Sequence, residues 1–320
     1  MEILITGGAG FIGSHLAEEL LKDKTNEVYI IDNLSTGKLE NINHLIENPR
    51  FHYVIDTILN EEVVDKLIAE CKNVYHLAAA VGVKLIMDKP LATIETNVKG
   101  TEVVLRIANK YKRKVLIASS SEIYGNHIQH ILKEDDNRVF GPVKKWRWAY
   151  ASSKTIDEYM ALAYYIEKKL PVIIVRLFNT VGPRQTAAYG MVIPNFVESA
   201  LLGKPITVYG DGKQTRSFTY VKDVVRAMID LMGRPRAVGD VFNIGSGNEI
   251  SINELAKKIK KLANSNSKIV HISYEKAYGK GFDDMKRRTP DISKIKRLIG
   301  YKPKTSLDEI IQEVIEYFKQ

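Results

Sequence analysis

The stretch Ile3-Leu4-Ile5-Thr6-Gly7-Gly8-Ala9-Gly10-Phe11-Ile12-Gly13-Ser14-His15 leaves the chain few folds to choose from. A short apolar run, enough for one buried strand, ends in glycines. Helical spacing begins at once with Ile12, Leu16, Leu20 and Leu21. Gly7, Gly10 and Gly13 suit a tight turn, a close backbone approach to phosphate, and a helix packed hard on its strand. The free N–H groups and the dipole at the new helix start, where Phe11 and Ile12 lie, would hold a pyrophosphate. Three spaced glycines alone mean little. The strand before them, the helix after them and an acid downstream make them a dinucleotide fingerprint.

That acid is Asp32, at the end of a second strand over 27–32 and 19 positions after Gly13. An acid there binds the 2′-hydroxyl of an adenosine ribose, and its charge repels a 2′-phosphate. NAD is therefore expected, with Lys38 the one nearby residue that speaks for NADP. Asn33 opens a polar loop at the ribose edge. A third strand over 51–56 ends in Asp56, followed by Thr57. A fourth begins at Asn73 and runs into Ala78, Ala79 and Ala80, whose small side chains let a cofactor approach the backbone. His76 within it reads as a packed core histidine. A helix over 96–111 and a fifth strand over 114–119 follow, leading into Ser119-Ser120-Ser121. Strands alternating with helices predict an α/β fold, a Rossmann-type doubly wound parallel sheet with ligands at the strand carboxyl ends.

Next come Tyr150 and Lys154, four apart and so on one helix face. A free phenol titrates near pH 10 and is a poor base at neutral pH, but a neighbouring ammonium favours the phenolate. Such a pair can take a proton from a sugar hydroxyl while hydride leaves the same carbon. After a sixth strand over 172–176 the alternation weakens. A loop over 182–190, a helix over 195–202, a strand over 206–209 and a helix over 221–232 precede a return strand near 241–245. The capping-box pattern Ser251-Ile252-Asn253-Glu254 opens another helix, and 306–318 is amphipathic. The expected division is a cofactor domain of residues 1–177 plus about 219–246, and a smaller substrate domain of 178–218 plus 247–320.

The chain has 320 residues, 45% hydrophobic, enough to bury a large core. Its net charge is +9, but the basic clusters interleave with apolar residues at helical spacing, as on solvated helix faces. An anionic small substrate suits that charge, and nucleic acid is not expected as a partner. No apolar run approaches the roughly 20 residues of a membrane span. The chain opens directly on a strand and has one cysteine, Cys71. A cytoplasmic protein without signal peptide or internal disulfide is expected. No metal is expected.

With Ser119-Ser120-Ser121-Glu122-Ile123-Tyr124-Gly125, Phe178-Asn179-x-x-Gly182-Pro183-Arg184 and Arg216-Ser217-Phe218-Thr219-Tyr220-Val221 added to the motifs above, the chain resembles an extended short-chain dehydrogenase/reductase. The likeness is to the nucleotide-sugar epimerase/dehydratase/decarboxylase family. It implies that Tyr150 is the catalytic base, Lys154 orients the nicotinamide ribose, and Ser120 bonds the sugar O4. It puts Asn179 and Arg216 at a diphosphate, with Ser121, Val208, Arg184 and Arg288 completing the substrate site. In these enzymes C4 oxidation gives a 4-keto sugar, from which the reactions diverge. Glu122 stands where 4,6-dehydratases and UDP-glucuronate decarboxylases carry Glu. Ser121 before it departs from the Asp of the dTDP-glucose dehydratases. Arg147-Trp148-x-Tyr150-x-x-Ser153-Lys154 and Arg288-x-Pro290 resemble the decarboxylase branch, while Gly182-Pro183-Arg184-Gln185 keeps the 4-epimerases open. The absence of Lys and Arg from Gln185 through Gly203 speaks against decarboxylation, because Arg184 would have to supply the second cation. The likeness also implies a homodimer packed through helices near 96–111 and 150–165. A non-catalytic NAD-sensing scaffold would have lost Ser120, Tyr150 or Lys154, and all three stand.

Overall fold

The structure, a computed structural model, describes every residue except 82–85, 87, 128–130, 188–190, 279–284, 286 and 320. The end of the loop expected over 182–190, and Lys286 of the basic run 286–288, lie outside the described residues.

Six strands build the sheet in chain order: β1 Glu2–Thr6, β2 Glu27–Asp32, β3 Phe51–Ile55, β4 Asn73–His76, β5 Lys114–Ser120 and β6 Val172–Leu177. The chain then leaves the sheet for β7 Thr180–Val181, β8 Ile206–Tyr209, β9 Thr215–Ser217 and β10 Thr219–Tyr220, and returns as β11 Asp240–Ile244. The seven-stranded order is β11-β6-β5-β4-β1-β2-β3, parallel throughout. The order reverses between β1 and β4, so the glycine turn after β1 opens at the topological switch point, where ligands bind.

Each central strand is apolar on both faces because helices cover both. Ile3 and Ile5 of β1 and Ile173 and Val175 of β6 point into one core layer. Leu4, Val172 and Ile174 point into the other. The first layer holds α1 Phe11–Leu21. The second holds α2 Glu61–Glu70 and the last part, α4 Gly100–Lys110, of a broken helix that begins with α3 Pro90–Ile94 and a π-type turn over Glu95–Lys99. The 22-residue α5 Arg147–Lys168 lies on that side as well.

After β6 the chain also adds α6 Val192–Leu201, α7 Val221–Met232, α8 Ile252–Leu262, α9 Tyr274–Tyr278, α10 Ser293–Ile299 and α11 Leu307–Lys319, together with three small two-stranded sheets. These pair β7 with β10, β9 with β12 Glu249–Ser251, and β8 with β13 Ile269–Ile272. The expected capping box forms at α8: Ser251 Oγ accepts the Glu254 N–H at 3.2 Å, and Glu254 Oε2 accepts the Ser251 N–H at 3.0 Å. Residues of α6, α8 and α11 join α1 and α7 in the first core layer, so this part shares its core with the sheet. No helix among the described residues is long and apolar enough to cross a membrane.

Candidate active site

A cleft of about 610 Å³ runs along the carboxyl ends of the strands, within the range that encloses a small-molecule ligand. Its first wall is the glycine turn. Gly7 takes φ +73°, a conformation that other residues resist, and a Cβ there would lie 2.9 Å from the Ala78 backbone nitrogen. A Cβ on Gly13 would come within 2.1 Å of the Gly7 carbonyl oxygen, so α1 is pressed directly onto the turn. Gly10, Phe11, Ile12 and Gly13 line the cleft, together with Asp32, Asn33, Asp56, Ala78 and Ala79. Asp32 is buried and accepts the N–H groups of Ala9 at 3.0 Å and Leu34 at 2.8 Å. Burial pushes its carboxyl up from the usual range, and those N–H bonds pull the other way. Thr57 is not among the lining residues; its N–H instead donates to Asp56 Oδ1 at 2.6 Å.

The opposite wall comes from β5 and α5. Ser120 caps the short turn Ser121–Tyr124, its Oγ accepting the Glu122 N–H at 3.2 Å. Tyr150 lines the cleft one turn into α5, on the same wall as Ser120. Burial pushes its phenol up, Lys154 and Ser120 pull it down, and Glu122 and Asp157 add to the rise. Lys154 is buried behind Tyr150, its Nζ donating to Asp157 Oδ2 at 2.9 Å. Below the serines, Ser119 Oγ donates to Glu158 at 2.6 Å, and Glu158 receives both Nε and Nη2 of Arg176. This buried ion pair ties α5 to β5 and β6 and fixes where Tyr150 stands.

Three arginines converge on Glu122. Arg288 Nη1 lies 2.5 Å from Oε1 and Arg147 Nη2 3.2 Å from Oε2, with Arg216 adding its field. Burial alone would raise the Glu122 carboxyl, but the three guanidinium groups win and hold it at about 2. Ser121 Oγ accepts from Arg288 Nη1 at 3.4 Å. The Arg288 loop is stapled by Leu132, whose N–H donates to Thr289 O at 2.8 Å and whose carbonyl accepts from Asp291 at 2.8 Å. Asn179, at φ +34°, donates Nδ2 to Ser217 O at 2.8 Å and also lines the cleft.

Two expected positions differ. Val208 is fully buried; along β8 its neighbours Thr207 and Tyr209 line the cleft instead, because strand side chains alternate. Arg184, expected to face the sugar with Arg288, lines the cleft with it but turns its guanidinium to α1. Its Nη2 donates to Glu18 at 2.9 Å and its Nη1 to Ser14 Oγ at 3.4 Å, beside the glycine turn. Arg147 was not singled out as a site residue, although its place three residues before Tyr150 puts both on one helix face. His76 is the packed histidine expected, between Thr6 and Thr101, and burial holds it neutral, down at about 3.

Comparison with known proteins decides the family. The model of the GDP-mannose 4,6 dehydratase family matches residues 4–314. The chain belongs to this family, the nucleotide-sugar branch of the extended short-chain dehydrogenases/reductases. Within it, the chain is 45% identical over 318 residues to a UDP-N-acetyl-alpha-D-glucosaminuronate decarboxylase of Bacillus cytotoxicus, covering 99% of this chain and 97% of that one. It is 38% identical to UDP-glucuronic acid decarboxylase 1 of Xenopus tropicalis, over 99% of this chain and 72% of that one. A solved UDP-glucuronic acid 4-epimerase from Bacillus cereus, in complex with UDP-glucuronic acid and NAD, superposes with a TM-score of 0.91 at 30% identity, covering 100% of this chain and 99% of that one. The protein is an NAD-dependent enzyme of nucleotide sugars. The site suits that cofactor: the glycine cradle leaves no room for a Cβ, and Asp32 presents a carboxylate at the end of β2. Among the described residues, no group of three or more His, Cys, Asp or Glu could hold a metal ion.

Proposed function

We propose that the enzyme decarboxylates a UDP-linked uronic acid through a 4-keto intermediate. The observation that carries this is the Arg147–Glu122–Arg288 cluster beside Tyr150, with Arg216 close by. Three guanidinium groups against one carboxylate leave net positive charge where a sugar carboxylate would enter. Arg147 supplies the second cation that the stretch after Arg184 lacks. A carboxylate held at about 2 is a poor base for abstracting a C5 proton, which disfavours 4,6-dehydration.

In this mechanism Gly7, Gly10, Gly13, Phe11, Ile12, Asp32, Asn33, Asp56, Ala78 and Ala79 would hold NAD, with Thr57 contributing through Asp56. NAD supplies acceptance and return of a hydride at C4. Tyr150, as phenolate, takes the O4 proton, and Ser120 holds that oxygen. Lys154 steadies the phenolate and orients the cofactor ribose. The C4 ketone is then β to the C6 carboxylate. The C5–C6 bond breaks, CO₂ leaves, and the electron pair passes to the C4 oxygen as an enolate that a proton at C5 quenches. Arg288 and Arg147, braced by Glu122, orient the carboxylate for this step. Asn179 and Arg216 hold the diphosphate, and Ser121 and Thr207 line the sugar-nucleotide side. Residues 1–177 with 219–246 form the cofactor half, and 178–218 with 247–320 the sugar half.

The likeness to the Bacillus cytotoxicus enzyme makes the 2-acetamido uronate the first sugar to test, beside UDP-glucuronate. Incubation with each, and with UDP-glucose, should release CO₂ and give a pentose-configured product by NMR from the uronates alone. A C4-epimerised uronate with its carboxylate intact would replace this reading by 4-epimerase, which the Gly182-Pro183-Arg184-Gln185 run and the structural neighbour favour. We also propose a homodimer through α4 and α5, where Ile156, Tyr159 and Ile166 lie exposed. Light scattering after gel filtration tests it.

A further inference from the structure

Two turns along α5 from Tyr150 stands an acid to which nothing above gives a role. Asp157 is fully buried and paired with Lys154, itself 2% exposed, so the charge pair is sealed from water. Positions 150, 154 and 157 are four and three apart and share one helix face.

A directional chain of hydrogen bonds runs from the cofactor wall to Thr101, beside the same carboxylate. The Ala78 N–H, in the cofactor wall, can only donate, and it does so to Thr6 Oγ1 at 3.1 Å. The Leu77 N–H does the same at 3.2 Å. The Thr6 hydroxyl must therefore give its proton to His76 Nδ1, 2.8 Å away. His76 is neutral, so Nε2 carries its proton and donates to Thr101 Oγ1 at 3.0 Å. Thr101 is buried on the helix facing Asp157 and draws its carboxyl down, against the rise that burial imposes. Each link as far as Thr101 fixes the next. Burial works against the Lys154 ammonium, but Asp157, Tyr150 and Glu158 outweigh it and raise its affinity for the proton. The titratable and charged groups that face the pair are Tyr150 and Glu158 on α5, His76 on β4, and Glu122 acting through Tyr150.

We propose that Asp157 is a positioning residue that acts through Lys154: it fixes the direction of the ammonium and tempers the positive field that Lys154 casts on the Tyr150 phenol. The inference rests on Tyr150 being the base. A carboxylate 2.9 Å from the ammonium opposes the attraction between that ammonium and a phenolate. One further N–H of Lys154 committed to Asp157 also leaves two for other partners.

The test needs no sugar. With NAD saturating, the phenolate absorbance band is titrated and the Tyr150→Phe spectrum subtracted, which removes the other tyrosines. Asp157→Asn should move the Tyr150 midpoint at least about one unit lower, tenfold more phenolate at fixed pH. Asp157→Ser serves the same measurement if Asn is not tolerated. In a Lys154→Met background the shift should fall by half or more. An unchanged or raised midpoint, or an equal shift in both backgrounds, overturns the proposal. If a uronate is turned over, the acid limb of kcat should move by the same amount. If no nucleotide sugar reacts while the band shifts, the reaction reading fails and the role of Asp157 stands.

Discussion

Replacing Glu122 by Gln removes one charge from the centre of the arginine cluster and little else. The carboxyl sits at about 2 in the folded protein against an ordinary value of 4.5, and its side chain is 16% exposed. A gap of that size, at about 1.4 kcal/mol per unit, corresponds to about 3 kcal/mol of stability. The sign follows from the direction of the shift. The folded value is lowered, so the contribution is complete above the ordinary value and is lost as pH falls towards the folded one. By pH 3.5 a little under half of it should be gone. Glu122→Gln should therefore be about 3 kcal/mol less stable than wild type at pH 7, and the gap should narrow by about half at pH 3.5. Urea denaturation followed by circular dichroism at both pH values measures this, with a midpoint lower by about 1 M at pH 7. Equal midpoints at pH 7, or a gap that acid does not narrow, would refute the argument that the arginines hold Glu122 as a structural anion. On the proposed reading, in which Tyr150 takes the first proton, the variant supplied with a uronate should still reduce bound NAD but release no CO₂.

Gly13→Ala places a methyl 2.1 Å from the Gly7 carbonyl oxygen. The turn must open, and NAD affinity by calorimetry should fall about 100-fold, the equivalent of about 3 kcal/mol. Tyr150→Phe should lower kcat by about 1,000-fold or more and leave NAD affinity within about threefold, as stopped-flow and binding titration would show. Ser251→Ala breaks the capping box of α8 and should cost about 1 kcal/mol in urea unfolding, with kcat unchanged.

The fold was legible because its signals are local. Strands β1, β2 and β4 to β6 are apolar runs with turn residues at their ends, and the glycines, Asp32 and Asp56 mark where those ends open onto the cleft. Tyr150 and Lys154 could be placed on one face because helical spacing is fixed. The short strands β7, β9, β10, β12 and β13 were not legible. Two to four residues hold no periodicity, and their pairing depends on partners far along the chain. The burial of the Val208 side chain is not legible for a related reason: a strand's two faces are told apart only when the layer beneath it is known. Arg184 went to α1 because Glu18 waits there, 166 positions away. The hold on Glu122 needed Arg147, Arg216 and Arg288 from three separate segments, and no spacing rule joins them. Asp157 was within reach, seven positions after Tyr150, yet an acid on a helix ordinarily faces water and only burial shows its use.

The route of the chain around β11 has a consequence for how the molecule comes apart. After β6 the chain leaves the sheet, contributes Asn179, Arg184 and Arg216 to the cleft, and only then returns to complete the sheet edge. Asn243 of that returning strand accepts from Tyr124 at 2.7 Å and donates to Leu132 O at 2.9 Å, beside the loop that carries Arg288. Neither wall of the cleft is thus a contiguous piece of polypeptide. A cut or a graft that replaces one wall as a block also strips an edge strand from the other. Sugar preference in this scaffold has to change side chain by side chain, and a ligand that tightens the cleft protects the whole chain against unfolding.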